Sequence, residues 1–418
     1  MPEQYSRRSF FSGVLATGTF TAATFYLMPG GRRPPSVELT LATGADPTGA
    51  RDLLISIWNR NNPQTVVRVE TIAVGSGDER QIMLEKARQG SADLLNLDII
   101  DVPEFADQKL IVALPLGDNG PLLPSLRGIH RVGTDDSHYW AVPFNTDVGM
   151  LFARTDGDAE PSGPPPSLPE LLDAVPDGSQ QFIGQLRPSV SAYYEAFVVN
   201  VLEHAAAQRP GVLKPVDDST AGAAAERVSE DLDLWRSALT PLREAIGTGR
   251  VLTSGDEADS RDRFAAPGSP ARYMRNWPVK YRELQQLGNP DVRTGRVRVD
   301  QLTVGVLGGQ SLAVVARSPY ADRARAFIDF VTSDDAQKIL AMHGLAPTSI
   351  AAYNDPNLRA AVPHLGAIRA AVEQALPRPA HRNYRRFSDV VKEHVEQFLY
   401  QGTDLGPRFI DEMLTALD

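Results

Sequence analysis

The sequence predicts an α/β protein of two lobes, preceded by an N-terminal apolar segment. Three observations carry this expectation. The chain has 418 residues, more than one compact core usually holds and well suited to two lobes. Its first third alternates strand and helix patterns at the spacing of βαβ units. After Trp140-Ala141-Val142-Pro143 the texture changes to a Pro/Gly loop and mainly helical blocks, and β and Gly character returns only after residue 301.

Taken in order, Ser6-Arg7-Arg8-Ser9-Phe10-Phe11 places a twin arginine before aromatic residues, and a largely apolar run over 13–28 follows. That is the order of a twin-arginine export signal. Ala22 and Ala23 offer small residues for cleavage, but Phe25-Tyr26-Leu27-Met28 continue the apolar run. Residues 9–28 match the length of about 20 residues that spans a bilayer. The expectation is an uncleaved anchor with the bulk of the chain outside the cytoplasmic membrane. Residues 29–36 (PGGRRPPS) then form a short, stiff tether.

Residues 37–42 read as a first strand. Gly44-Ala45-Asp46-Pro47 signals a turn and a helix start, with Asp46 as N-cap and Pro47 at the first helical position. Leu53, Leu54, Ile57 and Trp58 recur at helical spacing. A second strand is expected over 66–72, a helix over 78–89 and a third, mostly apolar strand over 92–97, as a parallel strand covered on both faces should be. Parallel sheets bind ligands at the carboxyl ends of their strands, which places residues 43–46 and 98–101 at the expected site. Residues 156–167 are a Pro/Gly loop. Helical blocks follow over 192–204 and 223–248, joined by an irregular connection over 205–220. Residues 302–316 are β-rich. Residues 320–343 form an amphipathic helix pair with Ala324, Phe327, Ile328 and Val331 on one face, and 356–418 is helical, broken at Pro377-Arg378-Pro379.

Composition narrows the function. Lys and Arg number 42 against 52 Asp and Glu, a formal charge of −10, which argues against a nucleic-acid partner. The absence of cysteine removes disulfides, thiolate metal sites, cysteine nucleophiles and cysteine-linked lipid anchors. The seven histidines show no metal-ligand spacing. Phosphate-loop, dinucleotide and serine-hydrolase motifs are missing as well. Neither metal nor cofactor is expected, and no residue stands out as catalytic.

Several segments together resemble the sugar-type extracellular solute-binding proteins of ABC importers, in particular the trehalose/maltose-binding branch. Asp98-Ile99-Ile100-Asp101-Val102-Pro103-Glu104-Phe105-Ala106 is similar to that branch's Asp-x-x-Trp-x-x-Glu-Phe-Ala segment. The run from Trp140 through Phe144-Asn145-Thr146-Asp147-Val148-Gly149 to Leu151 resembles the first interlobe crossing. Tyr194-Glu195-Ala196-Phe197, with Asn200 and Glu203, resembles the Tyr-Glu-Gly-Leu helix. Met274-Arg275-Asn276-Trp277-Pro278 is similar to the Arg-Asn-Trp-Pro strand end, and Leu307-Gly308-Gly309-Gln310-Ser311-Leu312-Ala313 to the Gly-Gly-Trp-x-Leu-Ala turn. Residues 330–337 resemble the Phe-x-x-Ser-x-x-Ala-Gln helix, and Pro377-Arg378-Pro379, with Tyr384 and Ser388, the Pro-Arg-Pro element. The matches keep family order over about residues 37–400.

The resemblance implies a two-lobe, periplasmic-binding-protein-like fold with three interlobe crossings, near Phe144, Leu302 and Ala351. The N-terminal lobe would take 37–144 with 303–350, and the C-terminal lobe 147–301 with 354–418. A ligand held between the lobes would favour the closed form, which permease subunits in the membrane would then recognise. The protein would act as a monomer that captures a carbohydrate or polyol and would not be an enzyme. Two other readings stay open: a degenerate member that senses its ligand, and a secreted carbohydrate-active enzyme.

The candidate ligand-binding residues are Asp46, Asp98, Asp101, Asn145, Tyr194, Glu195, Trp277, Gly309, Gln310 and Arg378. Trp277 offers an aromatic face to sugar C–H surfaces, against the alternative of core packing. Asp98 follows an apolar strand, where a carboxylate needs a partner; the alternative is a helix cap. Asn145 offers amide donors and an acceptor at a crossing. Tyr194 and Glu195 open a helix, Arg378 is fixed between prolines and Asp46 also suits a pure cap. Asp101 and Gln310 stand where the resembled branch carries aromatics. The exchange predicts a small neutral or amine-bearing polyhydroxyl ligand, with long maltodextrins bound poorly for lack of stacking surface.

Overall fold

The computed structural model describes residues 36–72, 79–115, 122–132, 135–155, 167–187, 195–214 and 227–418. The expected export signal and anchor, most of the Pro/Gly loop, part of the 205–220 connection and Tyr194 lie outside the described residues. Among the described residues no helix is long and apolar enough to cross a membrane.

The chain begins with β1 (Val37–Thr43), α1 (Ala50–Asn61), β2 (Thr65–Thr71), α2 (Glu79–Gln89) and β3 (Leu94–Asp98). β1 pairs in parallel with both β2 and β3, the arrangement that the βαβ spacing predicts. The expected helix start at Asp46 and Pro47 is corrected. Gly49, with φ 71°, is the N-cap and α1 opens at Ala50. Asp46 instead closes the turn before the helix, accepting the Thr48 N–H at 2.8 Å and the Arg51 N–H at 2.9 Å. The left-handed backbone that this turn needs falls on a glycine.

Next come α3 (Val102–Asp107), β4 (Leu114–Pro115), β5 (Arg131–Val132) and β6 (Asp135–Tyr139), with β4, β6 and β5 forming a small sheet of their own. β7 (Val142–Asp147) returns to the first sheet, whose order is β2-β1-β3, then a late strand, then β7. Two residues later the chain enters a second sheet. Its elements are β8 (Met150–Arg154), α4 (Leu168–Ala174), β9 (Phe182–Gly184), α5 (Ala196–Gln208), α6 (Leu232–Gly247), β10 (Val251–Thr253), α7 (Glu257–Ala265), β11 (Tyr273–Asn276), α8 (Val279–Gln286), α9 (Pro290–Arg293) and β12 (Val297–Gln301). The strand order is β10-β9-β11-β8-β12. The helix expected over 223–248 starts only at Leu232, where Asp231 accepts the N–H groups of Asp233 and Leu234. The preceding helix runs to Gln208, into the expected connection.

The late strand of the first sheet is β13 (Gly308–Val314), antiparallel to both β3 and β7. Helices α10 (Ala321–Val331) and α11 (Asp334–Met342) follow. The chain ends in α12 (Ile350–Asn354), α13 (Pro356–Ala361), α14 (Leu365–Gln374), α15 (Tyr384–Tyr400) and α16 (Pro407–Leu417).

Two lobes result, each with its own sheet. One face of the first sheet packs Leu39, Leu41 and Leu312 on Leu54, Trp58, Phe327 and Leu340 of α1, α10 and α11. The other packs Leu95 and Leu97 on Met83, Leu84 and Phe105 of α2 and α3. The second sheet shares a larger core with α5, α6, α7, α15 and α16, including Phe152, Phe182, Trp235, Phe264, Phe387, Phe398 and Phe409. Leu122, Leu123 and Leu126 pack into this second core, although they precede β7. Burial of these apolar side chains, each worth about 1.5–3 kcal/mol, holds each sheet to its helices.

Candidate ligand-binding site

The strand registers bring functional groups to one edge of each sheet. Gln310 pairs with Asp98 and Gly308 with Asp147, so the ends of β3 and β7 and the start of β13 share an edge with Thr43 at the end of β1. In the second sheet Met150 pairs with both Asn276 and Gln301. The ends of β11 and β12 therefore lie where the chain passes between the lobes. The two edges meet across a cleft, the position that open α/β sheets reserve for ligands. The lobes touch in this structure: a Cβ on Gly344, after α11, would stand 2.6 Å from Cβ of Arg282 on α8.

Charged side chains bridge the cleft. Arg378 follows α14 and is 6 % exposed. Its Nε donates to the Leu307 carbonyl at 3.2 Å, its Nη2 donates to Asp98 Oδ1 at 3.3 Å, and its Nη1 lies 3.5 Å from Glu195 Oε1. Burial alone would lower its pKa. Tyr384, Asp98 and Glu195 outweigh burial and raise it, so the guanidinium stays charged. Arg385, on α15, grips Asp101 through two bonds of 2.9 Å, the bidentate geometry that suits guanidinium to carboxylate. Glu195 accepts the hydroxyls of Tyr384 and Ser388, each at 2.5 Å.

Carboxylates outnumber the cations that face them. Asp98 is ringed by protein yet 39 % of its side chain remains exposed. Burial raises its pKa, Arg378 counteracts this and Asp101 adds to it. Glu79, against Gly44, is raised by burial and then by Asp101 and Asp98. Asp147 is pushed up to about 7 by burial, then by Asp98 and Glu257.

Most of the residues nominated from sequence meet here. Asp98, Asp101, Glu195 and Arg378 form one connected cluster. Asn145 is buried at 4 % exposure and directs its amide toward Asp147 Oδ2 at 3.5 Å. Gln310 is half-buried and its Oε1 accepts from the Asn96 amide at 2.8 Å. Trp277 is half-buried, with the Arg275 guanidinium 3.9 Å over its ring and its Nε1 donating to Glu257 at 2.9 Å. Asp101, expected as a ligand-contacting carboxylate near Asp98, does lie in that cluster, but it is 6 % exposed and paired with Arg385. Two candidates take other places. Gly309 has φ 127°, and a Cβ there would run into the Asn145 carbonyl and come within 2.6 Å of Thr146 Cα. Its backbone explains the glycine. Asp46 serves its turn, where hydrogen bonds from Thr48 and Arg51 outweigh burial and lower its pKa.

Arg385, Glu79, Asp147 and Glu257 were not singled out from sequence. Asp147 lies inside the crossing segment that the resemblance marked. Arg385 stands 284 positions from Asp101, a separation that no local pattern reports.

Comparison with known proteins agrees with this architecture. A "Probable ABC transporter-binding protein" of Deinococcus radiodurans is 25 % identical over 377 residues, covering 84 % of this chain and 85 % of that one. Maltose-bound MalE3 of T. maritima superposes with a TM-score of 0.75 at 24 % identity, covering 91 % of this chain and 99 % of that one. An ABC transporter solute-binding protein of Thermotoga lettingae, bound with α-D-tagatose, superposes with a TM-score of 0.71 at 19 % identity, covering 92 % and 100 %. The first and third of these are named as binding proteins of ABC transporters. The model of the bacterial extracellular solute-binding protein family matches residues 57–365, and the chain belongs to that family.

Proposed function

We propose that this protein captures a small carbohydrate or polyol between its lobes and delivers it to an ABC importer. The observation that carries the reading is the polar cleft in which Arg378 joins Asp98 of the first lobe to Glu195 of the second. Such a cleft offers donors and acceptors from both sides, which matches a ligand with many hydroxyls. The Thermotoga relatives, bound to maltose and α-D-tagatose, support the ligand class. The lobes we assign are 37–144 with 303–350 and 147–301 with 354–418. Closure over the ligand completes contacts from both lobes and stabilises the closed form. We further place the protein outside the cytoplasmic membrane, exported through Arg7 and Arg8 and held there by its N-terminal segment. Replacing both arginines by lysine should then leave it inside the cell.

A thermal-shift screen over sugars and polyols tests the central claim. A ligand at about a hundredfold its Kd stabilises the folded state by about 2.7 kcal/mol, and the melting temperature rises with it. A screen in which no sugar or polyol raises it sets the reading aside.

A further inference from the structure

We infer that the ligand carries a protonated amine, as an amino sugar or aminated polyol does, and that Asp147 is its counter-ion. This rests on the carbohydrate reading and moves the charge recognition away from Asp98 and Asp101. Arg378 and Arg385 already engage those two carboxylates.

Asp147 ends β7, where the chain leaves the first sheet. Among the described residues, one oxygen has only the Asn145 amide, at 3.5 Å. The other, Oδ1, is buried and has no hydrogen-bond partner among the described residues. Tyr353 of α12 is 3 % exposed, its hydroxyl has no hydrogen-bond partner among the described residues either, and Asp147 is the strongest charge acting on it.

Among the described residues, the groups that face Asp147 leave it without a cation of its own. Asp98 comes from β3, Glu257 from α7, Lys280 from α8 and Arg275 from β11. Arg378 reaches the same corner beside Gly308. Each of these cations is taken. Lys280 donates to both oxygens of Glu283, at 2.8 and 3.0 Å. Arg275 holds Glu203 at 2.7 and 2.8 Å. Arg378 is shared between the Leu307 carbonyl, Asp98 and Glu195. Glu257 accepts from the Trp277 indole and has no ion pair among the described residues.

A closed lobe over this corner would bury uncompensated negative charge, which is costly. A neutral hydroxyl supplies one donor and leaves the charge in place. An ammonium supplies three donors and cancels it. The unpartnered, buried Asp147 Oδ1 is the acceptor such a group needs, and Tyr353 and Glu257 are near enough to feel the same charge. Without ligand, Asp147 sits at about 7. Binding an ammonium therefore requires the ionised carboxylate and releases a proton from whatever fraction is protonated.

Calorimetric titration of the full chain with two matched pairs, glucosamine against glucose and glucamine against sorbitol, tests this. At about pH 7.5 the amines should bind at least about tenfold tighter than their neutral partners, and at about pH 5.5 the advantage should shrink several-fold. Asp147→Asn should bring each pair to within about twofold. Tyr353→Phe, which removes one oxygen and keeps the ring, should reduce the advantage in the same direction. Neutral members that bind as tightly as the amines overturn the amine inference and leave the carbohydrate reading standing. The same holds for an advantage that survives in Asp147→Asn or grows on acidification. Failure of all four compounds to bind overturns the amine inference, and the wider thermal-shift screen then decides the carbohydrate reading.

Discussion

Asp46 follows β1 and Asp147 ends β7, strands that finish on the same edge of the first sheet, and their surroundings send them in opposite directions. Asp46 receives N–H groups from Thr48 and Arg51, and its pKa falls. Asp147 receives almost nothing and rises to about 7 from 3.8. The signs for stability differ accordingly. Asp46 stabilises the fold above its unfolded pKa, and that contribution disappears on acidification. Asp147 keeps its proton more strongly when folded, so its favourable contribution is complete at low pH and is lost as pH rises through about 7. In the absence of ligand, Asp147→Asn should flatten that decline and exceed the wild type at about pH 8 by up to about 4 kcal/mol. Urea unfolding across pH measures it; a variant that declines in parallel with the wild type would show that Asp147 ionises at no cost to the fold. The sequence alone could not rank these two aspartates. Both sit beside turn residues, and what separates them is which groups the crossings bring near.

At the level of elements, the βαβ half was legible because period and spacing are local properties. β1, β2 and β3 fall within two residues of their expected bounds at either end. Helix starts were less so, since Gly49 rather than Asp46 caps α1, and α6 begins only after its Asp231 cap, not at the expected residue 223. Gly309 shows the limit of residue type as evidence. It was nominated for ligand contact, whereas the backbone of β13 requires a residue without Cβ there, and the register with β7 shifts just beyond, between Gln310 and Ser311. Gly149 at the head of β8 is similar. A Cβ there would enter the fully buried Arg275–Glu203 pair, 2.7 Å from Arg275 Nε. Strain at such a position costs about 1–3 kcal/mol and overpacking adds a comparable amount. Gly309→Ala should therefore lose at least about 2 kcal/mol in chemical denaturation, and a loss below about 0.5 kcal/mol would mean the strand edge yields more easily than this packing implies.

For the whole molecule, the question is what separates an open from a closed state. The bidentate Arg385–Asp101 pair joins α15, packed in the second core, to the residue that precedes α3 in the first lobe. Its length of 2.9 Å exists only while the lobes are together, so its free energy enters the closed state alone. A charge-assisted hydrogen bond of this kind contributes about 1.5–3 kcal/mol. The same arithmetic makes the closed population about tenfold to a hundredfold smaller once the pair is gone. Arg385→Gln should therefore enlarge the radius of gyration of the ligand-free protein in solution scattering. It should also weaken any ligand that binds the closed form, by the fraction of protein no longer competent to hold it. Arg378→Gln is the control for specificity, because Arg378 also holds the Leu307 carbonyl at the crossing; its loss should lower the melting temperature as well as open the lobes. If Arg385→Gln scatters like the wild type, the lobes are held together by packing such as that of Gly344 on Arg282, and the ion pair follows closure without driving it.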